Sequence, residues 1–160
     1  MAKIKTIKET IKQGIPFKSV QQETMMSLIR TSSQVKHCID SNLNISNLSS
    51  QQYNVLRILR GAVKAIPIMD ISDRLVEPTM GITRLINKLN KSGYIDRFQS
   101  DTDRRVFNIA INKKGLDLLA SLDEKVDRID EKIFGSMSEA KLKKLTHLLD
   151  EARANIPNCC

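Results

Sequence analysis

Apolar residues recur at helical spacing in residues 79–89, and polar residues fill the positions between them. The later apolar positions follow the first by three, four and seven residues, and the four are Ile82, Leu85, Ile86 and Leu89. This spacing predicts the buried face of a helix of about four turns. Pro78 suits the first turn and Gly93 the end of such a helix. A shorter pattern in residues 70–75 predicts a preceding helix, separated from it by a turn at Glu77-Pro78.

Two runs after Gly93 have strand character. The first run contains Tyr94, Ile95, Arg97 and Phe98, and the second alternates with a period of two through Val106, Phe107, Ile109 and Ile111. Residues 99–105 between the runs are polar, which is typical of a loop. The segment therefore predicts a β-hairpin with Asp103-Arg104-Arg105 near its tip.

The polar face of the helix predicted at residues 79–89 carries hydroxyl, amide and cationic groups. Its members are Thr79, Thr83, Arg84, Asn87 and Lys88. Such groups hydrogen-bond phosphates and base edges in the major groove of DNA, and cations at a hairpin tip can enter the minor groove. The order helix, turn, helix, glycine and basic hairpin is typical of a winged helix-turn-helix. We therefore expect double-stranded DNA as the partner of these residues and of Asp103, Arg104 and Arg105.

The alternative interpretation of the same segment is an ordinary α+β module with a solvated cationic face. Such a winged-helix module would serve protein contacts without specific DNA binding, because a fold does not dictate a function. A module without DNA binding has no physical reason to expose hydroxyl, amide and cationic groups together on one helix face.

Net charge is distributed unevenly along the chain. The 160 residues carry a formal net charge of +8, and their number suggests one domain. Residues 1–20 contribute +4 and residues 79–111 contribute +3, whereas residues 112–155 are neutral. This asymmetry favours a phosphate-facing surface and a separate surface for self-association. Residues 1–19 form a basic arm that either binds phosphates or only adds solubility.

Narrow apolar stripes at steps of three and four residues occur at both ends of the chain. Residues 119–133 carry one stripe, and two more run through residues 28–39 and 142–156. Some of these stripes must pack within the chain, but three such helices around a winged module also predict a twofold homodimer. The candidate interface residues are Leu28, Ile29, Val35, Leu142, Leu145, Leu149 and Ile156. A twofold dimer would bind a pseudo-palindromic operator.

The thiols and histidines point to no enzyme and no metal site. The three cysteines are Cys38, Cys159 and Cys160, and no secretory signal or transmembrane run is visible, so we expect a cytoplasmic protein with reduced thiols. A redox-sensing role for these cysteines is an alternative. The spacing of possible zinc ligands matches no known pattern. The sequence shows neither a nucleophile with an adjacent general base nor a glycine loop that could bind phosphate. We therefore expect neither catalysis nor a cofactor.

Four segments resemble the MarR family of transcriptional regulators. They are Leu48-Ser49-Ser50-Gln51-Gln52-Tyr53-Asn54-Val55-Leu56, Thr83-Arg84-Leu85-Ile86-Asn87-Lys88-Leu89, Gly93-Tyr94-Ile95-Asp96-Arg97, and Asp103-Arg104-Arg105 leading to Lys114-Gly115. The resemblance covers roughly residues 20–155. It implies that Arg105 enters the minor groove while Asp103 holds the wing. It also implies a homodimer and a crevice for a small-molecule inducer bordered by Tyr53 and the first helix.

One position departs from the family pattern. The family often has Leu-Thr before the helix that follows the wing, and this chain has Ile111-Asn112. Asparagine caps a helix as well as threonine does, so we expect the helix to begin there.

The predicted fold is mainly α (α+β), a winged helix-turn-helix with long N- and C-terminal dimerisation helices. The expected organisation is a basic arm at 1–19, a dimerisation helix at 20–47, the DNA-binding module at 48–111 and dimerisation helices at 112–158, all within one compact domain. The expected function is transcriptional repression by a homodimer on its operator, with possible release by a small molecule. No membrane association is expected.

Overall fold

The computed structural model describes residues 4–43, 47–100, 103 and 105–156. The helices are α1 (Ile7–Thr10), α2 (Val20–Leu43), α3 (Ser50–Ala62), α4 (Ile68–Asp73), α5 (Ile82–Lys91), α6 (Lys113–Phe134) and α7 (Glu139–Ala154). The strands are β1 (Ile66–Pro67), β2 (Ile95–Gln99) and β3 (Phe107–Ile111). The chain forms two compact units, Met1–Leu119 and Ala120–Cys160. The helix-rich architecture with a small sheet confirms the predicted fold class, and the proposed domain limits stay a prediction.

Side-chain caps fix where several helices begin. The Ser49 hydroxyl accepts a hydrogen bond from the Gln52 N–H at 3.2 Å, and the Gln52 side chain accepts one from the Ser49 N–H at 3.0 Å. This reciprocal pair satisfies two N–H groups that the first turn of α3 leaves free. At α6, Asn112 Oδ1 accepts from the Gly115 N–H at 3.1 Å, which confirms that asparagine starts this helix.

The sheet has three antiparallel strands in the order β1-β3-β2. The predicted hairpin is confirmed, with Ile95 paired to Ile111 and Arg97 paired to Ile109. Gln99 pairs with Phe107 inside the hairpin, so the predicted loop at 99–105 begins one residue too early. The sequence analysis missed β1, a two-residue edge strand that pairs with β3.

The core of the first unit lies between α3, α4, α5 and the sheet. Its most buried side chains include Val55, Leu56, Ile71, Ile86, Leu89, Ile95 and Ile109. Of the predicted apolar face of α5, Leu85, Ile86 and Leu89 are buried and Ile82 is half-buried. In α6, Leu119, Leu122 and Ile129 are buried, as their spacing predicts.

The predicted start of the helix at residues 79–89 is wrong. Pro78 and Thr79 precede α5, which begins at Ile82 and has 10 residues. The Thr79 hydroxyl accepts from the Gly81 N–H at 3.1 Å and closes a turn before the helix. Gly81 is the cap residue, and its carbonyl accepts from the Leu85 N–H at 3.1 Å.

The predicted end of this helix is confirmed. Gly93 has a φ of +72°, in the left-handed region that glycine adopts at little cost. The Tyr94 N–H donates to the Leu89 carbonyl at 3.1 Å, which is the bond that closes a glycine-terminated helix.

Candidate nucleic-acid interface

The exposed face of α5 carries the predicted polar and cationic side chains together. Thr83, Arg84, Asn87 and Lys88 are exposed on it. With Met80, Gly81 and Lys91 they line one shallow, open groove. Thr79 is an exception, because it lies before the helix, is half-buried, and has its hydroxyl bound to the Gly81 N–H. The helix face therefore contains four of the five residues predicted for it.

Contacts at both ends hold α5 in place. Before the helix, the Val76 N–H donates to Asn54 Oδ1 of α3 at 3.1 Å. Next to it, Glu77 forms an exposed ion pair with Lys36 of α2, a type of contact that adds little stability by itself. After the helix, Lys114 Nζ donates to the Ser92 carbonyl at 2.9 Å. These contacts tie the loop before α5 and the turn after it to three other helices.

The wing turn is organised by Asp103. Its carboxylate accepts from the Arg105 N–H at 2.9 Å, and its carbonyl accepts from the Val106 N–H at the same distance. This is the local turn that aspartate forms with the backbone two residues later. The Arg105 side chain is exposed beside it. Arg104 lies outside the described residues, so its predicted role stays a prediction.

Arg97 is a residue of this surface that the sequence analysis did not assign. It projects from β2, and its Nη1 donates to Asn87 Oδ1 of α5 at 3.3 Å. Its guanidinium carbon lies 4.2 Å from the centre of the Phe107 ring on β3. The hairpin pattern of the sequence placed Arg97 on a strand, but the contact with α5 depends on how the helix and the sheet pack.

From residue 4 onwards, the basic arm contains the short helix α1 and four exposed lysines, Lys5, Lys8, Lys12 and Lys18. Thr6 and Glu9 cap α1 reciprocally. The hydrogen bond from the Thr6 backbone N–H, followed by that from its hydroxyl, lowers the pKa of the Glu9 carboxyl below its ordinary value. Phosphate binding by this arm stays a prediction.

The predicted dimerisation residues lie on α2, on α7 and just beyond it. Leu28, Ile29, Leu145 and Ile156 are exposed in the single chain, whereas Val35, Leu142 and Leu149 are half-buried. Their part in an interface stays a prediction.

The remaining candidate sites are less defined. Cys38 is a half-buried free thiol on α2, and Cys159 and Cys160 lie outside the described residues, so redox sensing stays a prediction. Tyr53, the expected border of a ligand crevice, is 7% exposed.

In the described part of the chain, no group of three or more His, Cys, Asp or Glu side chains is arranged to hold a metal ion. None of the described helices is both long enough and apolar enough to span a membrane.

Comparison with known proteins agrees with this geometry. The MarR family model matches residues 48–107, from the start of α3 to the start of β3. The homoprotocatechuate degradative operon repressor of Escherichia coli is 26% identical over 108 residues, which are 66% of this chain and 70% of the repressor. The structure of the S. aureus MepR-DNA complex shares the fold, with a TM-score of 0.73, 20% identity, and coverage of 81% of this chain and 96% of that one.

A more similar sequence is that of a MarR transcription factor from Planctomyces limnophilus, whose crystal structure is known. It is 34% identical to this chain, with a TM-score of 0.67, and the match covers 84% of this chain and 98% of the other. This identity, over most of this chain and nearly all of the other, shows that the protein belongs to the MarR family of DNA-binding transcriptional regulators.

Proposed function

We propose that this MarR-family regulator is a homodimeric repressor that inserts α5 into the major groove of a pseudo-palindromic operator and places its wing at the minor groove. The observation that carries the proposal is the joint exposure of Thr83, Arg84, Asn87 and Lys88 on one face of α5. These side chains combine phosphate-binding cations with groups that can read base edges. Repression is supported by the name of the E. coli relative, which is an operon repressor.

The wing supplies the second contact. Asp103 fixes the backbone of the turn, which leaves the Arg105 side chain exposed and free to reach DNA. Narrow minor grooves have an enhanced negative potential that attracts arginine. Arg105 therefore adds affinity for sites with a narrow minor groove next to the major groove that α5 enters. We extend the same role to Arg104 on the basis of the sequence.

Dimerisation through the two ends of the chain supplies the symmetry. Apolar side chains such as Leu28, Ile29 and Leu145 are exposed in the single chain, and a second copy would remove them from water. A twofold dimer presents two recognition helices about one DNA turn apart, roughly 34–36 Å. Release by a small molecule, which the resemblance implies, is part of the proposal. A DNA partner also implies a cytoplasmic site of action.

The experiment measures binding to fluorescent DNA from the intergenic region upstream of the protein's own gene, titrated with salt and with random competitor DNA. Saturable binding that resists competitor and weakens steeply with salt is expected, because phosphate contacts release counterions. Footprinting then gives the half-site spacing. Binding that disappears with modest competitor would contradict sequence-specific recognition.

The matching variant is Arg105→Ala. It should weaken operator binding by about 1–3 kcal/mol and leave the dimer intact. Arg128→Ala is the control, because Arg128 is an exposed arginine on α6, paired only with Glu124 one turn away among the ion pairs of the described residues. Unchanged affinity of Arg105→Ala, or loss of its dimer, would refute the role of the wing.

A further inference from the structure

The contact between Arg97 and Asn87 joins the sheet to the exposed polar face of α5. Arg97 Nη1 donates to Asn87 Oδ1 at 3.3 Å, and both residues are exposed. Asn87 stands one turn after Thr83 and Arg84, and it lines the same groove as they do. Arg97 therefore acts on a side chain that the proposed function places against DNA.

Arg97 is itself held by the sheet. It pairs with Ile109 in the register of β2 and β3, and Phe107 is two residues from Ile109 on the same face of β3. The guanidinium lies 4.2 Å from the centre of the Phe107 ring, a favourable geometry for a cation over an aromatic face. The ring and the strand together limit the positions from which Arg97 can donate to Asn87.

This arrangement decides which end of the Asn87 amide faces outward. A guanidinium has donors and no acceptor, so the atom that it contacts on Asn87 must be the carbonyl oxygen and not the nitrogen. Asn87 Nδ2, with its two N–H donors, then points away from Arg97. The donor end of the amide is the part left for a ligand.

An asparagine amide that presents its N–H donors to DNA can discriminate between adenine and guanine. Asparagine usually binds adenine by accepting from N6 with Oδ1 and donating to N7 with Nδ2. Here Oδ1 already accepts from a cationic donor, which uses one of its two acceptor positions and competes with the adenine amino group for this oxygen. Guanine offers two acceptors, O6 and N7, at the same edge and needs only donors from the protein.

We propose that Arg97 is a positioning residue for Asn87, and that it makes Asn87 prefer guanine to adenine at the base pair it contacts. The proposal rests on the proposed function, because it requires α5 to lie in the major groove. Arg97 acts through Asn87, so its effect on base preference requires the asparagine to be present.

The test is a double-mutant cycle on an operator found by the footprinting above. Wild type, Asn87→Ala, Arg97→Met and the double variant are each titrated against operators that carry every single base-pair change in one half-site. The position that Asn87 contacts is the one at which Asn87→Ala loses discrimination. Arg57→Met is the matched control, because Arg57 is also an exposed arginine over an aromatic ring, 5.9 Å from the centre of Tyr53.

Wild type is expected to prefer guanine to adenine at that position by about tenfold. Arg97→Met should move the preference towards adenine, because the freed amide can turn and make both bonds. In the Asn87→Ala background, Arg97→Met should cause no further change in preference at this position. In Arg97→Met, the slope of log affinity against log salt concentration should change by less than the amount expected for the loss of one phosphate contact. Arg57→Met should keep the wild-type base preference.

Several results would overturn the proposal. A wild-type preference for adenine at the Asn87 position contradicts it directly, and so does Arg97→Met with an unchanged preference. Two results would instead show that Arg97 binds DNA directly. One is that the effects of Asn87→Ala and Arg97→Met on base preference add, and the other is that Arg97→Met reduces the salt slope by the amount expected for one phosphate contact. Absence of competitor-resistant binding by wild type would instead refute the proposed function, and this inference with it.

Discussion

Gly115 lies in the first turn of α6, where the backbone of residue 94 approaches it closely. A Cβ atom at this position would stand 2.3 Å from the Tyr94 carbonyl oxygen and 2.7 Å from Cγ1 of Ile111. The same carbonyl oxygen accepts a hydrogen bond from the Asn112 N–H at 3.3 Å. The substitution Gly115→Ala must therefore move a backbone carbonyl and a side chain, and disturb a hydrogen bond.

The expected cost follows from two opposing effects. Forcing an extra methyl group into a packed site costs about 3 kcal/mol at the upper end of the usual range, and backbone contact favours that end. Alanine gains about 1 kcal/mol over glycine inside a helix. The net expectation for Gly115→Ala is a loss of about 2 kcal/mol in the free energy of unfolding.

Gly61→Ala is the matched control. Gly61 lies within α3 and is exposed, and a Cβ there would meet no atom within 4 Å. The higher helix propensity of alanine over glycine is then the effect that changes stability, so the free energy of unfolding should rise by about 0.5–1 kcal/mol. The two variants make the same chemical change with opposite expected signs.

The assay is equilibrium unfolding in urea, followed by circular dichroism, at one fixed protein concentration because a dimer's stability depends on concentration. The midpoint should fall for Gly115→Ala and rise for Gly61→Ala. If Gly115→Ala were as stable as wild type while Gly61→Ala showed its gain, the close approach of α6 to residue 94 would not be a constraint, and the reasoning would be refuted.

Three further outcomes are expected. Val63→Gly should raise the free energy of unfolding in urea by about 0.5–1 kcal/mol, because Val63 caps α3 with a φ of +62° that a branched residue adopts only with strain; a decrease would contradict this. Leu145→Lys should convert the dimer to monomer in sizing experiments, whereas Ala140→Lys on the opposite face of α7 should not; a dimeric Leu145→Lys would remove that residue from the interface. Thr6→Ala should raise the pKa of Glu9 towards its ordinary value, as measured by NMR titration. Because that pKa is lowered in the folded protein, the cap should stabilise α1 fully at pH values above the ordinary glutamate pKa. This stabilisation should be lost as the pH falls through the lowered pKa of Glu9. An unchanged Glu9 pKa in Thr6→Ala would show that the hydroxyl has no effect on it.

The exposed and buried faces of α5 were predictable because they follow from local periodicity. Ile86 and Leu89 are buried, and Arg84 and Asn87 are exposed, as a period of 3.6 residues requires. The glycine at 93 marked the helix end for an equally local reason, since its left-handed conformation needs no other part of the chain.

The start of α5 was not predictable from Pro78, because three residues between proline and helix form a separate turn. That turn depends on the hydroxyl of Thr79, and the loop before it is held by Asn54, which is 22 residues away from Val76 in sequence. Patterns in a short window carry no information on such distant partners. Tertiary contacts decided this boundary.

The edge strand β1 and the Arg97 contact were missed for similar reasons. Two residues are too few to show an alternating pattern, and Pro67 argues against a strand unless it lies at an edge, as it does here. Arg97 could be placed on β2 from sequence, but its approach to Asn87 depends on the packing of α5 against the sheet. Sequence reasoning therefore predicted the exposed polar face of α5 and missed a contact that one of its side chains makes with the sheet.

Asn112 is more than a helix cap. While its Oδ1 starts α6, its Nδ2 lies within hydrogen-bond distance of the Gly93 carbonyl, at 3.1 Å, and of Asp96 Oδ1, at 3.2 Å. One amide thus joins the end of α5, the start of β2 and the beginning of α6. The threonine that the family often has here would keep the cap but has no amide donor for the other two partners. The departure from the family pattern therefore gives this protein a side-chain link between the start of α6 and the chain just after α5, which threonine would not provide.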